Sequence, residues 1–145
     1  MSLQNDTPPG VNAYPLKQNL AQWHGLIFGP EDTVWEGGIF VLSIKFPENY
    51  PDKPPVVKFV TKIFHPNVYA DGLLCLDILQ NEWSPIYDVK GILMSVRSLL
   101  TDPNPNSPAN AEAAKLYIHN KSEYMRSVQK CVYESINSAE LPLEQ

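Results

Sequence analysis

The sequence has no apolar run near the roughly 18 residues that a membrane span requires, and Met1-Ser2-Leu3-Gln4-Asn5-Asp6 offers no signal-peptide core. It has two cysteines, Cys75 and Cys131, too few for the disulfide framework of a small secreted domain. Basic residues are short as well. Eleven Lys and Arg against 16 Asp and Glu give a net charge of −5 and an isoelectric point near 5.1, which argues against nucleic acid as a direct ligand. Charged residues make up only 19%, below the roughly 25% of an average chain, which argues against disorder and coiled coil. The three histidines (His24, His65, His119) and two cysteines lack the paired spacings of zinc sites, and no serine stands in a Gly-x-Ser-x-Gly elbow. These absences lead us to expect one soluble, intracellular domain over residues 1–145, with no membrane partner, no direct nucleic acid and no metal.

Proline is abundant and unevenly spread. Of 14 prolines, 13 fall between Pro8 and Pro108, whereas Ala109 to Leu141 contains neither proline nor glycine. Proline breaks helix interiors and glycine weakens them, so strands and turns are predicted for the first two-thirds and helices for the rest. Strand candidates are Val11 to Leu16, Trp23 to Phe28, Ile39 to Phe46 and Val56 to Val60. In the third, Phe40, Leu42, Ile44 and Phe46 form one apolar face against Val41, Ser43 and Lys45. The polar, glycine-rich stretch Gly29 to Gly38 suits a hairpin connection. Four strands with no intervening helix imply an antiparallel meander.

Asp88 is placed to cap a helix whose apolar residues Val89, Ile92, Leu93, Val96, Leu99 and Leu100 keep helical spacing, and Asp102-Pro103 stops it. Asn110 to Asn120 is alanine-rich, and Met125, Val128, Val132 and Ile136 mark a further apolar stripe. The fold class is α+β, a four-stranded antiparallel meander sheet with flanking helices. Between sheet and helices, Thr61 to Tyr87 holds no period, and a structureless stretch that long inside a domain is usually functional.

That stretch carries the chemistry. Cys75 lies among Leu73, Leu74 and Leu76, where a thiol is commonly a buried small hydrophobe. The alternative is a covalent acyl carrier, because a thiolate is both a good nucleophile and a good leaving group. Such a site needs an amide donor for the oxyanion, and Asn67 stands eight residues upstream. His65 and Asn67 flank Pro66 and are equally suited to an ordinary turn. No general base is evident, although Asp77 is a nearby carboxylate. Cys131, beside Val132 on a helix, is expected in the core or half-buried.

His65-Pro66-Asn67, then Gly72-Leu73-Leu74-Cys75-Leu76-Asp77 and Trp83-Ser84-Pro85, resembles the catalytic signature of ubiquitin-conjugating enzymes. The resemblance extends to Gly29-Pro30, the Tyr50 to Pro55 corner and Asp102 to Asn110, and so covers nearly the whole chain. Phe64 to Tyr69, Asp77 to Asn81 and Asn106 to Asn110 look closest to the branch serving DNA-damage tolerance and histone ubiquitination.

The resemblance implies that Cys75 carries the C-terminal glycine of ubiquitin as a thioester, received from the ubiquitin-activating enzyme and passed to a substrate lysine. Asn67 then supports the oxyanion and its loop, His65 and Pro66 hold the turn, and Asp77 lies near the thiol. Ser107 matches a gate position where many relatives carry an aspartate, and a serine there leaves room for phosphorylation, which adds about two negative charges. Asp52, Lys53, Ser84, Pro85 and Ile86 match loops that bind RING-type ligases. Asn12 matches a sheet face where some members hold a second, non-covalent ubiquitin. No cofactor is implied, ATP being used by the activating enzyme, and the substrates are proteins, histones among them. A non-catalytic ubiquitin-binding scaffold and a conjugating enzyme for another ubiquitin-like modifier are the rival readings. One departure is expected: family members begin with a basic amphipathic helix, whereas here only Leu3-Gln4-Asn5-Asp6 resembles its tail end before Thr7-Pro8-Pro9-Gly10. The first helix is therefore read as truncated, with loading by the activating enzyme impaired.

Overall fold

The computed structural model describes residues 10–137. Four strands, β1 (Val11–Pro15), β2 (Gln22–Phe28), β3 (Ile39–Lys45) and β4 (Val56–Phe59), pair antiparallel in the order β1-β2-β3-β4. This is the meander the alternation implied. Three helices follow, α1 (Val89–Thr101), α2 (Ala111–His119) and α3 (Lys121–Asn137). The expected truncated first helix falls on residues 1–9, outside the described residues.

Register explains which face is buried. Val11 pairs with Ile27 and Ile27 with Phe40, while Ala13 pairs with Gly25 and Gly25 with Leu42. Alternation sends these residues to one face, where α1 lies over them with Ile92, Leu93, Val96 and Leu100 buried. Gly25 lets α1 pack closely there, since a Cβ would stand 3.0 Å from a Leu93 methyl and that side chain would have to shift. The opposite face carries the row Asn12, Leu26, Val41.

The helix boundaries follow from their caps. The Asp88 carboxylate accepts from the Gly91 N–H at 2.8 Å at the start of α1, and Asn110 accepts from Ala113 N–H at 3.0 Å at the start of α2. Asn120 closes α2 through its own N–H to Leu116 O, and its side chain accepts from Glu123 N–H at 3.3 Å to open α3.

Two expectations change. Met125 and Ile136, placed on the buried stripe of α3, are 44% and 48% exposed. The buried face is Tyr124, Val128, Cys131, Val132 and Ser135. Cys131 is buried as expected, whereas Tyr124 and Ser135, each with a hydroxyl, fell outside the apolar pattern and yet turn inward. Ser135 can do so because its hydroxyl donates to Val132 O at 2.7 Å and accepts from Ile39 N–H at 3.0 Å, tying α3 to the start of β3. Ser135→Ala leaves that strand amide unpaired and is expected to cost about 1–2 kcal/mol in urea unfolding. An unchanged midpoint would remove the tie from the account.

The second change concerns Gly29 to Gly38, read as a polar connection. Trp35 within it is 1% exposed and folds back against Phe40 and His65, with ring centroids 5.7 and 6.0 Å away. Gly29 permits this fold, since a Cβ there would collide with the Trp35 carbonyl. Trp35 thus floors the segment that carries the candidate site.

Candidate active site

Thr61 to Tyr87 is irregular, as its pattern predicted, with one short 3-10 turn at Asp77–Leu79. It is anchored by two isolated bridges, Lys58 to Leu73 and Val68 to Leu74. Phe59 N–H donates to Gly72 O at 2.8 Å. Gly72 adopts φ +94°, and a Cβ there would run into the Phe59 carbonyl, so only glycine lets the chain double back. The return places Cys75 beside Asn67: Cys75 N–H donates to Asn67 O at 2.8 Å.

Asn67 is the hub. It is 1% exposed. Its Nδ2 donates to Asn104 O at 2.8 Å and its Oδ1 accepts from Asn104 N–H at 2.8 Å, so the amide pairs with the backbone of a residue far along the chain. Pro66 O accepts from Ala109 N–H at 2.7 Å and Asn110 N–H at 3.0 Å. Together these bonds fix the loop between α1 and α2 over the thiol. Ser107, exposed on that loop, presents its carbonyl oxygen 3.9 Å from Cys75 Sγ and 3.5 Å from Asn67 Nδ2.

His65 is wholly buried, its Nε2 2.7 Å from Leu99 O and its Nδ1 accepting from Asn67 N–H at 3.0 Å. With Nδ1 an acceptor, the proton sits on Nε2 and the ring is neutral. Burial lowers its pKa from 6.5 to about 4, against the two backbone hydrogen bonds to Leu99 and Leu100. Both nitrogens are occupied, so the ring holds a turn and cannot take a proton from an incoming amine. The unfolded chain binds a proton at His65 near pH 6.5 and the folded chain only near 4. The stabilising contribution is therefore full above pH 6.5 and is lost as pH falls toward 4. Between pH 7.5 and 4.5 we expect a loss of about 2–3 kcal/mol that His65→Gln removes, read by urea unfolding at both values. An identical pH slope in the variant would contradict the buried neutral ring.

Cys75 is half-buried and Cys131 buried, both free thiols. Burial covers the Cys131 sulfur and raises its pKa, both of which make that thiol unreactive. Asp77 begins the 3-10 turn two residues beyond Cys75, exposed, with its carbonyl accepting from Gln80 and Glu82 N–H at 2.9 Å.

The structure thus draws His65, Pro66, Asn67, Cys75 and Ser107 into one place. Asp52, Lys53, Ser84, Pro85 and Ile86 form a second cluster, all exposed except half-buried Ser84, with Ile86 85% exposed. Trp83 joins its two loops by donating Nε1–H to Pro51 O at 3.0 Å, next to a cis Tyr50-Pro51 bond. Asn12 stands apart on the sheet face away from α1, its Oδ1 turned to Ala13 N–H at 2.9 Å. Asn104 and the Trp83 indole escaped sequence reading, Asn104 because its contribution is made by backbone atoms. Among the described residues, no group of three or more His, Cys, Asp or Glu is close enough to hold a metal ion.

A family model described as ubiquitin-conjugating enzyme matches residues 1–132, and this chain belongs to that family. It is 59% identical over 133 residues to ubiquitin-conjugating enzyme E2 3 of Arabidopsis thaliana, covering 92% of this chain and 89% of the relative. It is 58% identical over 133 residues to ubiquitin-conjugating enzyme E2 1 of Caenorhabditis elegans, covering 92% and 69%. The fold class and the family read from the motifs both hold. The chain is a ubiquitin-conjugating enzyme, a transferase, and membership brings ubiquitin, an activating enzyme and a ligase as partners in general.

Proposed function

We propose that Cys75 is the residue that carries ubiquitin, and that residues 1–145 act as a single catalytic unit built on one core. The observation that supports this most is the hub at Asn67, whose carbonyl holds the Cys75 amide while its side chain holds the loop over the thiol. In the first step the Cys75 thiolate attacks the thioester carbonyl of ubiquitin on the activating enzyme. A tetrahedral intermediate forms and the activating enzyme's thiolate leaves. In the second, a substrate lysine amine attacks the Cys75 thioester, the Cys75 thiolate leaves, and the amine proton passes to solvent or a nearby carboxylate. Both steps are acyl exchanges from an activated thioester, so neither calls for a cofactor on this chain; ATP is spent upstream.

Supporting residues take the following parts. His65 and Pro66 hold the turn. Asn67 keeps the gate loop closed, Ser107 lines the entry of the lysine as a neutral group open to phosphorylation, and Asp77 supplies an exposed carboxylate close in sequence. Asp52, Lys53, Ser84, Pro85 and Ile86 form the contact for a RING-type ligase, and Asn12 marks a secondary ubiquitin contact. The resemblance of residues 64–69, 77–81 and 106–110 to the DNA-damage branch supports histones among the substrates. Two free thiols support a reducing compartment, cytoplasm and/or nucleus.

The test offers the full chain ubiquitin, activating enzyme and ATP, and separately a preformed ubiquitin thioester of a small thiol, followed by non-reducing gels. A thiol-sensitive band heavier by one ubiquitin, unchanged in Cys131→Ser, is the expected result. A band with another ubiquitin-like modifier and none with ubiquitin would replace the proposal.

A further inference from the structure

Five aromatic rings run from the core to the ligase-contact cluster. Trp23 meets Phe46 at 6.0 Å, Phe46 meets Tyr50 at 4.7 Å, Tyr50 meets Trp83 at 6.2 Å and Trp83 meets Tyr87 at 5.8 Å. Trp83 is half-buried, the fourth ring of this file, with Tyr87 beyond it. Its position is set from behind by the turn after Cys75: Gln80 and Glu82 N–H both reach Asp77 O, and Trp83 N–H reaches Gln80 O at 3.3 Å. From there the indole N–H reaches across to Pro51 O, the residue before Asp52 and Lys53.

Apart from this bond and the Tyr50–Trp83 ring contact, the two loops are short turns closed on themselves. Lys53 N–H returns to Asn49 O at 3.1 Å, and Tyr87 N–H returns to Ser84 O at 3.1 Å. The ring contact is less directional than a hydrogen bond, so the indole bond is the sharper constraint on their separation. A partner that touches both at once must meet them at one separation, and any freedom between them is lost on binding. We propose that Trp83 is a positioning residue for ligase recognition: its indole bond to Pro51 fixes the spacing between the Asp52–Lys53 loop and the Ser84–Ile86 loop. The inference rests on the reading of these loops as the ligase contact. Trp83 acts through Asp52 and Lys53 and need not touch the ligase itself.

The experiment measures binding of the full, unloaded chain to the tightest binder from a set of purified RING domains, by NMR titration. Trp83→Phe keeps a smaller ring in the file and removes the donor, and the double-variant comparison separates the lost bond from lost packing. The single variant is expected to weaken binding about five-fold. In the Asp52→Ala/Lys53→Ala background, the same change is expected to add less than about 1.5-fold, because the loop it positions no longer contributes. A general loss of folding predicts instead an equal effect in both backgrounds, and that result overturns the proposal. Ile86→Ala separates it from the reading beneath. If Ile86→Ala weakens binding and Trp83→Phe does not, the spacing role falls and the ligase face stands. If Ile86→Ala has no effect, or no RING domain binds, the ligase face falls and the inference falls with it.

Discussion

Cys75→Ala abolishes the ubiquitin adduct, and Cys75→Ser replaces the reducible adduct with one that survives thiol treatment. The backbone around residue 75 is held by its amide bond to Asn67 O and by the Val68 to Leu74 bridge, neither of which uses the side chain. Both substitutions therefore remove chemistry with little change in structure. A serine hydroxyl is a far weaker nucleophile than a thiol, so loading slows. Once formed, its oxygen ester is less reactive toward amines than the thioester, so discharge slows more. A Cys75→Ser protein that still gave a reducible adduct would exclude Cys75 as the carrier and turn attention to Cys131. That outcome conflicts with the burial of Cys131 at 8% exposure and its raised pKa.

Asn67→Ala slows transfer to lysine by roughly 10²-fold, well beyond its effect on loading. The sequence suggests Asn67 as an amide donor to the oxyanion. In the folded chain its Nδ2 already donates to Asn104 O, with Ser107 O 3.5 Å away, and its Oδ1 accepts from Asn104 N–H. Truncation leaves a donor and an acceptor of the gate loop without partners, at a cost of about 2–4 kcal/mol in urea unfolding. Lysine transfer suffers because it needs that loop in place. Asn67→Asp does not restore the pair: its carboxylate accepts from Asn104 N–H but cannot donate to Asn104 O, and it sets a buried charge against that carbonyl, so stability and transfer are both expected to stay low. Recovery of transfer in Asn67→Asp would remove the amide donor as the cause.

The sheet was legible because its strands alternate cleanly, and α1 because Asp88 and Asp102 mark its ends. The burial of Cys131 was legible beside Val132, but the rest of the α3 stripe was misjudged because Tyr124 and Ser135 bury polar atoms, which a pattern of apolar residues cannot foresee. Trp35 was hidden in a glycine-rich loop for a related reason: burial depended on Gly29 giving way. At the candidate site, residue types offered His65, Asn67 and Cys75, and the family resemblance added Ser107. The bonds that unite them run through backbone atoms of Pro66, Asn104 and Ala109, and main-chain partners leave no mark on residue type.

The Asn67 amide bonds to Asn104, 37 positions further along the chain, whereas the meander pairs neighbours through short connections. Local hairpins close early at small entropic cost, and distant closures wait for the segments between them to order. A nascent chain can thus have its sheet and its thiol before α1 has brought the gate loop round. Such a chain exposes Cys75 to small electrophiles but cannot align a lysine. Competence for transfer therefore needs more than the sheet and the thiol: it waits on α1 and on the closure of the gate loop against Asn67.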